Sequence, residues 1–491
     1  MLRSLLRCSF LHAVLWLTLG AVLASGFPPA PSAADPPATV QMVFVGDVMI
    51  GRSIGQRIAA SGPPYPFAPI RPLLIEADLA FGNLESPLTT APYVRKGYNL
   101  VGNPGNVASL TYAGFDVVAL ANNHSTDHGP AGLAETIRTL DDVGIAHVGA
   151  GATITDAYAA HLRVTGPITV AFLAYDGTGG SDTVAQDTPG TGNVGAARAM
   201  RDIALARKAA NFVVVSVHWG QEYQPLPDRR QRALARSLAR AGADLIVGHH
   251  PHVVQPLEWL TDTVRGTPTL VAYSLGNFIF DQEWSEPTSE GALLQCRVDR
   301  NGLVSASLAP TRIRRMQVHA SATDGAVGPL RRMLDVGLSQ PAFQSFSLVT
   351  LPEGQKDFRL TWWARPQTWV AMPPVTSDVD GDGAPEQAAI EAGQVVVRSG
   401  TRGDLWRSPA QWQIRTVALD DVDGDGHAEV IALGQPNEEM APAYGSVIQV
   451  WKWAIGGRFR LLWCSAAGSY RAWVLTDVNG DGIREIALPP Q

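Results

Sequence analysis

The sequence predicts an α/β layered domain followed by a smaller all-β repeat domain. Three observations predict it. From Val40 to about Arg315, short apolar runs alternate with amphipathic helical patterns. Where those runs end stand Asp, Glu, Asn and His, with no Lys or Arg among them. From residue 357 the texture changes, and a loop of the form D-V-[DN]-G-D-G recurs three times.

The length, 491 residues, allows two or three domains and a sizeable core. Hydrophobic residues make up 46% and charged residues 17%, the proportions of a globular chain rather than a disordered one. The net charge of -7 argues against a nucleic-acid binder, which would carry a basic face, but is compatible with a local basic pocket for an anionic substrate.

Residues 1–26 form a targeting segment. Arg3 and Arg7 precede the apolar stretch LHAVLWLTLGAVLASG, which ends in small residues with cleavage expected between Ala24 and Gly26. This plan predicts a secreted or envelope-associated protein, held to a membrane only if the segment stays uncleaved. Cys8 lies too early in the apolar run for lipid attachment. Residues 27–39, a Pro/Ala-rich linker, follow as an extended tether. Cys296 and Cys464 have no disulfide-like spacing and are expected to be buried thiols.

In the first domain, residues 40–315, TVQMVFVGD and DLAFGNLES are expected strands, and FDVVALANNHSTDHG a strand entering a polar loop. PAGLAETIRTLDDVGI has apolar residues at helical steps. HLRVTGPITVAFLAYD is a hairpin turning at Gly166-Pro167. Helix AARAMRDIALARKAA leads to strand NFVVVSVHWG, and helix DRRQRALARSLARAG to strands ADLIVGHHPH and TLVAYSLGNFIFD. Strands spaced by helices in this way imply a largely buried sheet. A connecting segment, residues 316–356, contains the helical pattern GPLRRMLDVGLS.

The strand ends carry the chemistry. Asp47 follows MVFVG, Glu85 follows LAFGNL, Asn122-Asn123-His124 follow DVVALA, His218 ends FVVVSV, and His249, His250 and His252 follow DLIV. Ligands bind at the carboxyl ends of strands in open α/β sheets, so these residues are expected to converge on one site. Carboxylate, amide and imidazole together suit Mn, Fe or Zn better than calcium. Two ions sharing a bridging carboxylate can lower the pKa of a bound water and clamp attacking and leaving oxygens. Of the histidine triplet, His250 and His252 are favoured because alternate residues of an extended segment share a face, with His249 as the alternative. Glu222 reads equally well as a supporting residue or a surface acid, Asn277 as a turn residue, and Trp219 and Trp284 as core in preference to cleft lining.

In the last domain, residues 357–491, the three loops offer Asp378, Asp380, Asp382 and Glu386, then Asp421, Asp423, Asp425 and Glu429, then Asp477, Asn479, Asp481 and Glu485. Acidic side chains at alternate positions of a tight loop converge their oxygens, and hard oxygen ligands suit Ca2+. An EF-hand needs Glu at position 12, where this chain has Ala389, Ala432 and Leu488. Trp362, Trp406 and Trp463 each precede a loop by 14 to 16 residues. Such units mean propeller blades or an open β array.

This region resembles the FG-GAP/VCBS-type calcium-loop repeats of integrin-like β-propellers. Three units are fewer than a closed propeller needs, so the resemblance implies a partial, propeller-like array that attaches to a cell-surface or wall partner or serves as a spacer. In the first domain GDVMIGR, GNLESPL, ANNHSTDHG, VHWGQEY, VGHHPHVVQPLE and YSLGNFIF resemble, in order, the motif series of the CapA family, the poly-γ-glutamate capsule synthesis proteins related to calcineurin-like metallophosphatases. The resemblance implies a four-layer αββα fold around a metal centre. It would make Asp47 a ligand of the first metal, Glu85 the bridging acid, and Asn123 and His218 ligands of the second, with the GHHPH histidines completing both. His124 would take the place of the general acid and Asp127 would orient it. Met49 stands where metallophosphatases carry a histidine, Glu85 where Asp is usual, and GHHPH has one residue more than the usual Gly-His-x-His. The function so implied is a metal-dependent hydrolase or transferase of envelope-polymer synthesis, acting on an anionic polymer through a phosphoester or γ-glutamyl amide. The alternatives are a non-catalytic surface-binding protein with a vestigial centre and a general secreted phosphoesterase.

Overall fold

Strand β1 (Val40–Val48) shows why the chain builds layers. Met42 and Phe44 point to one side, Val43 and Val45 to the other, and all four are fully buried. A strand apolar on both faces must be covered twice.

The structure, a computed structural model, describes residues 39–320 except 96, 181–187, 196 and 261–267. Beyond these it describes 344–350, 356–363, 378–392, 394–400, 402–408, 410, 412–420, 427–436, 447–454, 458–464, 474–476 and 485–488, several of these strands in backbone only. The expected signal segment, the linker up to residue 38 and the GPLRRMLDVGLS helix lie outside the described residues.

Strands β2 (Leu79–Leu84), β3 (Val117–Ala119) and β4 (Ala146–Val148) extend β1 in parallel, in the order β1-β2-β3-β4. A two-residue strand β5 (Ala150–Gly151) follows. The second sheet holds β6 (His161–Thr165) and β7 (Ile168–Asp176), an antiparallel hairpin turning at Gly166-Pro167. After β8 (Gly190–Thr191), which pairs with β5, come β9 (Phe212–His218), β10 (Leu245–His249), β11 (Val254–Leu260) and β12 (Thr269–Leu275). Their order is β11-β12-β10-β9-β7-β6, with β7, β9, β10 and β12 parallel. The chain then returns to the first sheet with β13 (Asn277–Ile279), β14 (Glu290–Asp299), β15 (Gly302–Arg314) and β16 (Gln317–Ala320).

Three apolar cores define four layers. Between the sheets, Phe44, Phe81 and Val117 meet Phe172, Val214, Val247 and Ala272. On the outer face of the first sheet lie α1 (Arg52–Ser61), α2 (Arg71–Ile75), α3 (Val107–Ala113) and α4 (Gly129–Asp141), which bury Ile54, Leu73, Leu110 and Leu133 against Val43 and Val45. After α5 (Ile154–Tyr158), α6 (Ala197–Ala209) and α7 (Arg229–Ala241) bury Ile203 and Leu238 against Val213 and Val215 of the second sheet. Asp228 and Gln231 form a capping box that starts α7, each side chain taking the other's backbone N–H. A short α8 (Glu286–Ser289) precedes β14. The fold is mixed α/β, and no helix among the described residues is long and apolar enough to cross a membrane. Cys296 is a free, buried thiol whose pKa burial pushes far up.

The first sheet does not end at the expected boundary after Arg315. Strands β17 (Gln344–Thr350) and β18 (Lys356–Trp363) form a hairpin, and β18 pairs with β15. β19 (Gln387–Glu391), β20 (Gln394–Ser399) and β21 (Gly403–Arg407) form a three-stranded sheet. β22 (Trp412–Asp420), β23 (Glu429–Pro436), β24 (Val447–Ala454) and β25 (Arg458–Cys464) form a four-stranded one. Val395, Val397, Ile414 and Val430 share a small core. Finally β26 (Val474–Thr476) and β27 (Glu485–Leu488) rejoin the first sheet beside β17. An apolar strand carries no mark of the sheet edge it will join, so the sequence pattern placed β17 and β18 outside the first domain.

Candidate metal centre

Parallel strands place their carboxyl ends together. Asp47 is the penultimate residue of β1, His218 ends β9 and His249 ends β10, and His218 and His249 are register partners. Two glycines let the backbones come close enough. A Cβ on Gly46 would lie 1.8 Å from the Gly276 carbonyl oxygen, and one on Gly248 would lie 2.0 Å from that of Tyr273. The following loop is strained: His250 has φ 95° and His252 φ 56°. Non-glycine residues adopt such angles where the surroundings dictate them, which is common at functional sites.

The structure brings Asp47, Glu85, Asn123, His218, His250 and His252 together. Ligand atoms of Glu85, His218 and His250 lie within 4.8 Å of one another, as do those of Asp47, Glu85 and His252. Glu85 belongs to both groups, the position of a bridge. Its Oε1 lies 3.7 Å from His218 Nε2 and 3.9 Å from His252 Nε2. Asn123 Oδ1 lies 2.7 Å from His218 Nε2. His252 Nδ1 is 3.5 Å from Asp47 Oδ2, and the His250 backbone N–H donates to the same oxygen at 3.2 Å. His249 Nδ1 stands 3.3 Å from Asp47 Oδ1. His249 joins neither group of ligand atoms and backs Asp47 instead.

Electrostatics favours a cation here. Glu85 is fully buried, and neither carboxylate oxygen has a hydrogen-bond partner. Burial, then the nearby charges of Asp47, Glu222 and Asp127, push its pKa well above the ordinary value. Burial also works to raise that of Asp47, but the facing His249 and His252 and the Asn83 amide prevail and hold it below its ordinary value. Burial, then the neighbouring histidines, drives His218 well below 6.5, and burial followed by His252 brings His250 to about 4. These rings are neutral at pH 7 and have lone pairs to offer, as metal ligation requires. Unpartnered carboxylate oxygens facing neutral imidazoles fit a divalent transition-metal pair. Asp47, Glu85 and His252 would hold one ion, and Glu85, Asn123, His218 and His250 the other. Met49 contributes no ligand: it is buried in the core beneath α1, and its sulfur accepts the Gly51 N–H.

His124 and Asp127 sit beside the centre. Asp127 Oδ2 lies 2.8 Å from His124 Nδ1, leaving Nε2, 3.9 Å from Glu85 Oε1, to face a cleft of about 240 Å³. That cleft is lined by Arg52, Tyr98, Glu222, Tyr223, Gln282 and Trp284 among others. Ligand atoms of Glu222, His250 and His252 also lie within 4.8 Å of one another.

Two expectations need correction. Trp284 is not core: it is 65% exposed on the cleft wall, 5.4 Å from the Tyr223 ring, because the segment after β13 leaves the sheet. Trp219 is core, stacked on Tyr273. Asn277 is more than a turn residue, since its Oδ1 lies 2.9 Å from His252 Nδ1. Asn83 was not singled out, yet its amide donates to Asp47 Oδ1 at 2.9 Å and touches His218 Nδ1 at 3.3 Å. Its position two residues before Glu85, where strand alternation gives both the same face, was the available signal.

Of the acidic loops, the first is described. Asp378, Asp380 and Glu386 bring carboxylate oxygens within 4.8 Å, while Arg402 contacts Asp380 and Asp382. Asp421, Asp423, Asp425, Asp477, Asn479, Asp481 and the Glu485 side chain lie outside the described residues. Glu429 is buried at the start of β23.

A solved phosphatase structure from Mycoplasma pneumoniae aligns with 56% of this chain and 94% of its own, at 16% identity and a TM-score of 0.36. Residues 41–282 match the family described as bacterial capsule synthesis protein PGA_cap. The PGA biosynthesis protein CapA of Bacillus subtilis (strain 168) is 37% identical over 265 residues, 53% of this chain and 68% of that one. The capsule biosynthesis protein CapA of Bacillus anthracis is 34% identical over 282 residues, 55% of this chain and 67% of that one. With this identity over two thirds of such relatives, the chain belongs to the CapA family of bacterial capsule synthesis proteins.

Proposed function

We propose that the protein is an exported, metal-dependent hydrolase or transferase of poly-γ-glutamate or related envelope-polymer synthesis, acting on a phosphoester or γ-glutamyl amide. The observation that carries this reading is Glu85, buried without a hydrogen bond and shared by two groups of histidines and acids. A divalent pair held there would supply Lewis acidity, activating water and neutralising developing negative charge. The chain's own residues do the rest. Asp127 orients the His124 ring through Nδ1, so that Nε2 is placed to hand a proton to the leaving oxygen or nitrogen. Asn277 and Asn83 hold His252 and Asp47 in place. The cleft walls position the substrate beside them.

Replacing His250 and His252 together by Ala is expected to abolish both metal uptake and turnover of γ-glutamyl or phosphoester substrates. Full turnover in that double variant would contradict the catalytic reading. Met49 favours a second reading, a polymer-binding protein without turnover, because one expected ligand is replaced by a core residue. Metal-loaded wild-type protein that retains polymer but never cleaves or transfers it would establish that alternative.

The 378–386 loop is assigned to Ca2+ on its oxygen donors, of which Glu386 Oε1 is buried and without a hydrogen-bond partner. A wall or surface partner for the strands beyond residue 357 belongs to the same reading.

A further inference from the structure

Backbone strain marks a part of the cleft that the metal centre does not account for. Among the described residues, positive φ outside glycine occurs in two settings. Arg315 and Met316 form the turn between β15 and β16, and Ala392 stands in the turn between β19 and β20, where hairpin geometry demands it. The others surround the site: His250, His252, Tyr223 at φ 62° and Arg52 at φ 46°. Strain of this kind persists where the placement of a side chain is fixed by its surroundings. The two histidines have their place among the ligands. Arg52 and Tyr223 do not, yet both line the cleft above His124 and His252.

Arg52 is built to receive an anion. Apart from the histidines, it is the one basic side chain among the described residues lining this cleft. Its Nε lies 3.2 Å from Asp281 Oδ2, a nearly buried carboxylate that also accepts from Ser53 Oγ at 3.1 Å. That contact holds the guanidinium by its inner nitrogen, and among the described residues no hydrogen bond or ion pair engages the two terminal nitrogens of this side chain, 38% exposed. A guanidinium so fixed presents a planar fork matched to the paired oxygens of a carboxylate or phosphate. Tyr223 and Trp284, packed edge to face, supply an apolar wall for the rest of the ligand.

We propose that Arg52 is the specificity-determining residue of the cleft, holding an anionic group of the substrate, carboxylate or phosphate, next to the bond that lies over His124 and His252. The proposal rests on the metal-dependent reading above. Glu222 and Asp281 line the same cleft, so the anion is held tightly when cations neutralise the acids beneath it.

Titration calorimetry of the Mn2+-treated full chain with inorganic phosphate and, separately, with a γ-linked glutamate tetramer tests this, with metal content measured on the same samples. Wild-type protein is expected to bind at least one probe. Arg52→Met is expected to weaken that binding at least about tenfold with metal content unchanged. Arg52→Lys, which keeps the charge but loses the fork, is expected to fall between. Tighter phosphate binding assigns a phosphoester substrate, and tighter tetramer binding a γ-glutamyl carboxylate. Wild-type affinity in Arg52→Met, or in Arg52→Lys should the methionine variant not fold, overturns the proposal, as does a wild-type chain that binds neither probe. A chain that takes up no Mn2+ overturns the metal reading in the content measurement. The anion titration, run on it unchanged, still decides the role of Arg52.

Discussion

Asn277 Oδ1 lies 2.9 Å from His252 Nδ1. The amide can be oriented only one way, because its Nδ2 donates to the Thr288 carbonyl at 2.9 Å and to Gln282 Oε1 at 3.1 Å. The histidine therefore donates from Nδ1, which makes Nε2, 3.9 Å from Glu85 Oε1, the ring nitrogen available to the group shared with Asp47 and Glu85. Removing such an outer partner typically weakens metal affinity about 10- to 100-fold. Asn277→Ala is expected to do so, with Asn277→Asp affected less because it keeps the acceptor. Competition against a chromophoric chelator measures it. Equal affinity in all three proteins would show that His252 needs no such orientation.

The two sheets are joined by an aromatic stack. Phe81 and Phe172 lie 5.6 Å apart with planes at 8°, both buried. Phe172→Ala is expected to lower unfolding free energy by about 3–5 kcal/mol, read from denaturant unfolding. A loss under about 1 kcal/mol would mean the inter-sheet core repacks around the gap.

His147 of β4 gives the stability a pH dependence away from the metal centre. Burial lowers its pKa below 6.5, outweighing Asp141, whose Oδ1 is 3.6 Å from its Nε2. The folded chain thus resists protonation that the unfolded chain accepts. Its stabilising share is present above pH 6.5 and lost as pH falls below it. His147→Gln is expected to lose less unfolding free energy than wild type between pH 7.5 and 5.5. Identical losses would remove His147 from the account.

Calcium binding at the first acidic loop is tested on the full chain, because strands from both ends of the last region pair within the first sheet. A ligand that binds only the folded form raises its transition temperature. Added Ca2+ is expected to raise the transition of wild-type protein more than that of Asp378→Asn/Asp380→Asn. Equal responses would leave Arg402 as the sole cation for these carboxylates.

Much of this arrangement was legible because its determinants are local. Apolar runs buried on both faces, as in Val40–Val48 and Phe212–His218, announce internal strands, and their polar last residues announce a shared site. Asp47, Glu85, Asn123, His218, His250 and His252 are all found together. What was not legible depends on tertiary approach. Asn277 looks like any turn asparagine until β13 pairs with β1 beside Asp47. Trp284 reads as core because nothing in its neighbours shows that the segment leaves the sheet. The edge to which β17 and β18 attach is set by register with β15, which no single segment encodes.

In the proposed centre Asp47, Glu85, Asn123, His218, His250 and His252 form one binuclear cage bridged by Glu85. Metal stoichiometry of the purified full chain, with the ions located by anomalous scattering from crystals, tests it most directly. Two transition-metal ions are expected, one on either side of the Glu85 carboxylate, and both absent from the His250→Ala/His252→Ala protein. Wild-type protein with no transition metal beside Glu85, after incubation with Mn2+, Fe2+ or Zn2+, would contradict it.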